Sequence, residues 1–247
     1  MTNNVFRELL FSLLPEGTQL PAYEEKLLVN GVSADDAYFM VQEKVKTTEA
    51  LHHIIDTLIP LGLQLNEWFF QILCEQCRID TVAYLYNKGI HVNLIDEYGE
   101  NLFFKLCATR MYSKDFGKLH ESFRKLEALG IDYKQLTIDG RNLIHKALRN
   151  DLCIPFIKFL ASLDLNINLQ DENGFTPLHL SADYSNSEMA AALLECGAEK
   201  SKSLRTRKTK NENEYAGIAN LTPRELYDLK APIDSQWRDE KTAALLT

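Results

Sequence analysis

The sequence is short of most features that announce a function. It contains no run of about 18 apolar residues, so no membrane-crossing helix is expected. Tryptophan occurs twice and cysteine five times in 247 residues. Five is an odd number, and Cys74, Cys77, Cys107, Cys153 and Cys196 mostly sit in apolar, helix-like surroundings. That pattern reads as buried reduced thiols rather than a disulfide frame. The opening MTNNVFRELLFSLLPEG has no basic start and no small-residue cleavage site, and it carries Glu8. It therefore reads as an amphipathic helix rather than a secretory signal, and the chain as cytoplasmic.

Catalytic signatures are missing as well. There is no GxSxG, phosphate loop, HExxH or calcium-loop pattern. The DFG at 115–117 stands without the rest of a kinase signature. Cys74 and Cys77 form CEQC, but zinc would need two further ligands at compatible spacing. A redox CxxC opens a helix after a strand, whereas this one is expected inside a helix. His52 and His53 are neighbours on a helix, so their rings diverge by about 100°. These absences predict no enzyme, no cofactor, no metal and no small-molecule substrate. An enzyme carrying these residues as a targeting module would have to place its catalysis in residues 1–65, which hold no paired catalytic residues.

Acids outnumber bases, 35 to 27, for a net charge of −8. The bases are uneven: Lys200, Lys202, Arg205, Arg207, Lys208 and Lys210 crowd one stretch. With those six set aside, 21 bases face 35 acids, a balance near −14. Such a scaffold repels nucleic acid and membrane surfaces and favours a basic protein partner. The stretch 200–215 itself reads as a polar surface loop without the aromatic interleaving of a nucleic-acid arm.

Glycine is sparse but periodic. Gly99, Gly140 and Gly174 lie 41 and 34 residues apart, and each precedes a similar run: ENLFF, RNLIH and FTPLH. Asn220 precedes LTPREL in the same phase. A second landmark keeps step, with LYNKGIHVN (85–93), LEALGIDYK (126–134), LASLDLNIN (160–168) and LLECGAEKS (193–201) each reading as a helix end followed by an extended segment. The resemblance these runs carry, to the ankyrin repeat, implies a role for each position. The glycines take positive φ in a turn, and Asn220 replaces them. Asn101, Asn142 and Thr176 cap helices. Pro177 and Pro223 take the first helical position. Leu178 and Ile144 point into a core, and Ala147 and Ala182 allow close packing.

This pattern resembles the ankyrin repeat, a finger turn followed by two antiparallel helices. Residues 171–201 match best, then 137–168, then 96–134. The resemblance implies a divergent, small single-domain member of bacterial type: an all-α solenoid of stacked helix-turn-helix units with short β-hairpin fingers and helical caps. It also implies that His145 and His179 hydrogen-bond backbone near the next finger. The expected divisions are a cap with degenerate first repeats (1–65), a finger-less repeat (66–95), a repeat with an insertion near 108–118 (96–136), two regular repeats (137–170 and 171–201), a basic insertion (202–219) and a capping half-repeat with tail (220–247). In the first division, helices are expected at 6–14, at 22–29, after a Ser33 cap and after a Thr48 cap. WFF (68–70) reads as core, with partial exposure where the finger is missing as the alternative.

In such a stack the finger tips and exposed ends of the inner helices line the binding face. Here these are Glu97, Tyr98 and Glu100; Ile138, Asp139 and Arg141; Glu172, Asn173 and Phe175; with Thr109, Arg149, Asn150, Asp183 and Tyr184 on the inner helices. Aromatic anchors among acids suit a protein interface. The implied function is non-enzymatic occlusion or tethering of a partner protein. Its sharpest form is an immunity-type inhibitor of a cognate bacterial toxin, and the alternative is an effector or host-range protein that captures a host target.

Overall fold

The computed structural model describes residues 12, 33–42, 44–110, 112–201, 220–230 and 239–247. The helices expected at 6–14 and 22–29, and the basic stretch beyond Ser201, lie outside the described residues. Among the described residues every regular element is helical. The chain divides into two compact units: residues up to Leu73 with Arg78–Val92, and Cys74–Cys77 with Asn93–Thr247.

In the first unit, α1 (Ala34–Gln42) packs on α2 (Thr48–Leu58), and α2 on α4 (Ile79–Asn87). Ser33 caps α1 as expected: its Oγ accepts from Asp36 N at 3.1 Å. The cap of α2 is Thr47, one residue earlier than expected, and its side chain accepts from Ala50 N. A 3-10 turn (Ile59–Leu61) follows, and α3 (Glu67–Glu75) begins without a finger turn before it. CEQC is not wholly helical. Cys77 lies past the end of α3 at φ 52°.

The second unit is a regular double row. Inner helices α5 (Leu102–Leu106), α7 (Leu143–Arg149), α9 (Pro177–Asp183) and α11 (Pro223–Lys230) pack in succession. Outer helices α6 (Phe116–Ala128), α8 (Ile154–Ser162), α10 (Ser187–Glu195) and α12 (Glu240–Leu246) do the same behind them. The final segment, read as a half-repeat, thus holds two helices packed on each other. Asp239 and Tyr227 join them, with Tyr227 Oη donating to Asp239 O at 2.7 Å. α6 begins at Phe116, and Asp115 of the DFG triplet is its cap.

Each inner helix starts from a polar cap because four N–H groups there have no helical partner. Asn101, Asn142 and Thr176 supply it. At Asn142 and Thr176 a histidine three residues on completes a reciprocal box. The far nitrogen then ties one unit to the next: His145 Nε2 meets Phe175 O and His179 Nε2 meets Leu221 O, both at 3.1 Å. Burial lowers both rings to about pH 4, against partial compensation by those carbonyls. Ile144, Ala147 and Leu178 are fully buried beneath.

The fingers are turns rather than strands. No β-strand occurs among the described residues, because each finger makes too few successive bonds to form a ladder. Gly99 has φ 77°, and a Cβ there would stand 3.0 Å from Ile138 N and 3.2 Å from Thr137 Cα. Gly130, at φ 76°, has nothing within 4 Å.

Two expectations follow. Gly99→Ala and Gly130→Ala both incur the left-handed backbone cost of about 1–2 kcal/mol, and Gly99→Ala loses more because the next finger is in the way. Urea unfolding of the two variants measures the difference. For the histidines, a folded value below the unfolded one means stability is complete above about pH 6.5. It falls as pH drops toward 4, where the rings charge. In thermal unfolding across pH, His145→Gln should lower the melting temperature at neutral pH and flatten the fall between pH 6.5 and 4.

Candidate partner-binding site

The fingers are built by one local device. Asp96 Oδ1 accepts from Tyr98 N and Glu100 N, both at 2.9 Å. Asp171 Oδ1 accepts likewise from Asn173 N and Phe175 N at 2.9 Å. In the middle finger Thr137 Oγ1 takes Arg141 N at 3.0 Å. Backbone bonds then lock tip to tip: Ile138 N donates to Tyr98 O at 2.9 Å, and Glu172 N to Asp139 O at 2.7 Å. These bonds bring Glu97, Tyr98, Ile138, Asp139, Glu172 and Asn173 together on three neighbouring tips.

Tyr98 and Ile138 are the most open large apolar residues there, 58% and 62% exposed. Glu97, Asp139 and Glu172 are exposed beside them, and Asn173 is half-buried. On the inner helices Arg149 is exposed and Asp183 half-buried, while Tyr184 at the end of α9 is 48% exposed. Asn150 is half-buried and donates to Lys146 O at 3.0 Å.

Four expected site residues are occupied by the fold. Phe175 is 6% exposed, not solvent-facing, because Leu180 and Leu226 pack around it. Thr109 is fully buried and donates its hydroxyl to Glu75 O. Arg141 pairs with the buried Asp171 carboxylate at 2.9 Å, satisfying a charge that would be costly alone. Glu100 accepts from Lys105 at 3.1 Å and Lys146 at 2.5 Å, so a lysine at that position would set three cations together. The candidate face is consequently less acidic than composition suggests.

The sequence reading missed Lys105 and Lys146, whose ion pairs brace the fingers. Burial pulls the Lys105 ammonium down, and the Asp96 and Glu100 bonds outweigh it, holding Lys105 above its ordinary value. Burial likewise pushes Asp96 up, and Lys105 with the Glu100 and Tyr98 amides more than reverses that. Ile95 and Leu136 were also missed. Both are exposed just before a finger turn, where a large aliphatic residue in a polar loop was the available signal.

The alternative chemistries find little to work with. Burial raises the Cys74 and Cys77 thiols, leaving both protonated at neutral pH. Among the described residues no three His, Cys, Asp or Glu side chains are placed to share a metal ion. The His52 ring lies flat on Tyr84 at 3.8 Å, apart from His53. No helix among the described residues is long and apolar enough to cross a membrane.

Comparison with known proteins agrees with this architecture. Residues 111–203 match the family model described as ankyrin repeats (3 copies). Over 109 residues, 44% of this chain, the sequence is 33% identical to an ankyrin repeat protein of fowlpox virus, covering 30% of that protein. Over 132 residues, 50% of this chain, it is 27% identical to an ankyrin repeat protein of Rickettsia felis, covering 34% of it. The chain spans about a third of the length of these curated relatives. Stacked finger turns, capped inner helices and these matches together identify ankyrin repeats in this chain, and such repeats serve as a protein–protein interaction scaffold.

Proposed function

We propose that the chain is a non-enzymatic scaffold that occludes or tethers a partner protein on its finger tips and inner-helix ends. The observation that carries this reading is the exposure of Tyr98 and Ile138 on tips fixed to each other by backbone bonds. Neither side chain fills a core, and large apolar groups held rigidly at the surface lose little entropy on binding. Glu97, Asp139 and Glu172 form an acidic rim around them, which favours a partner with a basic border.

The narrower role remains a proposal in two forms. An immunity-type inhibitor of a cognate toxin draws its support from the net charge of −8, since an acidic face suits a basic toxin. An effector or host-range protein draws its support from the similarity to a viral protein. Both use the same face.

Affinity purification with mass spectrometry tests the shared claim. The full chain and a Tyr98→Ala/Ile138→Ser variant are used as bait side by side. The variant should fold and melt like the parent and lose at least about tenfold in affinity for a specifically captured protein, the loss expected of an interface anchor. Equal capture by both contradicts the face. A captured protein encoded beside this chain favours the inhibitor role, and a host protein the effector role.

A further inference from the structure

The start of the inner helix is buried in α5, α7 and α9 of the second unit. Leu102 and Phe103, Leu143 and Ile144, and Pro177 and Leu178 occupy that turn, and all are buried. At the matching turn of α3, in the first unit, Trp68 is 54% exposed. The physical reason is local: α3 follows the 3-10 turn without a finger to cover its first turn. Phe69 and Phe70 fill the core there, so packing does not require the indole.

Trp68 is nonetheless held in place. The half-buried Phe39 ring of α1 lies 4.2 Å from it, tilted 45°. Exposed carboxylates accompany both rings: Glu67 precedes Trp68, and Asp36 stands one turn before Phe39 on α1. Asp36 Oδ2 accepts from Ser33 Oγ at 2.7 Å, and Asp35 Oδ1 from Gln64 N at 2.8 Å. Between Ser33 and Glu75 the described acids are Asp35, Asp36, Glu49, Asp56, Glu67 and Glu75, against the bases Lys44 and Lys46. An open indole backed by a second ring, in a segment where described acids outnumber described bases, complements a flat cation. A guanidinium fits best, because it can lie on the ring and hydrogen-bond a carboxylate at its edge.

We infer that the Trp68–Phe39 pair is a second contact site, which takes an arginine side chain of a partner protein. This rests on the protein-scaffold reading above for the nature of the partner. The omitted finger gives the site its opening, so a departure from the repeat pattern becomes a place of recognition.

The test uses the full chain with Trp237→Phe, which leaves Trp68 as the sole tryptophan. It is titrated with hexa-arginine and hexa-lysine at matched ionic strength, following tryptophan emission and heat. Hexa-arginine should change the emission saturably and bind more tightly than hexa-lysine. Trp68→Leu should weaken hexa-arginine binding by about tenfold without moving the melting temperature. Unchanged emission, or equal affinity for the parent and Trp68→Leu, overturns the site. The Tyr98→Ala/Ile138→Ser variant should titrate like the parent, so failure here and failure of the finger-tip reading are told apart.

Discussion

The repeated stack of the second unit depends on one bond type, the reach of a cap histidine to a carbonyl of the following unit. A single helix pair cannot bury its own apolar face, so its neighbour must be held at a fixed distance and angle. His145 and His179 do this from inside the fold, each satisfying its own helix start and the next unit's backbone at once. Protonating such a ring removes an acceptor from its helix cap and buries a charge. The same contact therefore explains why these rings stay neutral and why acid should loosen the stack.

On that frame the fingers become a rigid edge without being a sheet. An aspartate or threonine folds each turn on itself, a positive-φ glycine lets the next turn approach, and one backbone bond joins tip to tip. Ion pairs brace the result from below, with Glu100 between Lys105 and Lys146 and Asp171 closed by Arg141. Most strongly charged groups near the face are thus spent on structure. What remains open on the tips is apolar at Tyr98 and Ile138 and acidic at Glu97, Asp139 and Glu172. That division separates residues that specify the fold from those the proposed face presents to a partner.

The readable part of this architecture was the local part. Caps at Asn101, Asn142 and Thr176, the turn glycines, Pro177 and the two histidines could be placed because capping and φ preference depend on a few neighbouring residues. Thr47 displaced Thr48 at one cap, since either hydroxyl satisfies the pattern. Burial was harder. Phe175 looked open until Leu226, far along the chain, covered it. Thr109 looked free until the Glu75 carbonyl claimed its hydroxyl. Glu100 looked like a binding acid because its lysine partners belong to α5 and α7. Each error concerns a side chain whose environment comes at least in part from a neighbouring repeat. Trp68 shows the converse: its exposure follows from a finger that is absent, which the pattern made visible only in part.

The central claim is that recognition rests on side chains presented by locked finger tips. Native-state hydrogen exchange at the Ile138 and Glu172 amides addresses it directly, since both sit on exposed turns and donate across fingers. The account predicts slow exchange that reports cooperative opening of the stack. Exchange as fast as in an unstructured peptide would show that the tips are not joined, and would contradict it.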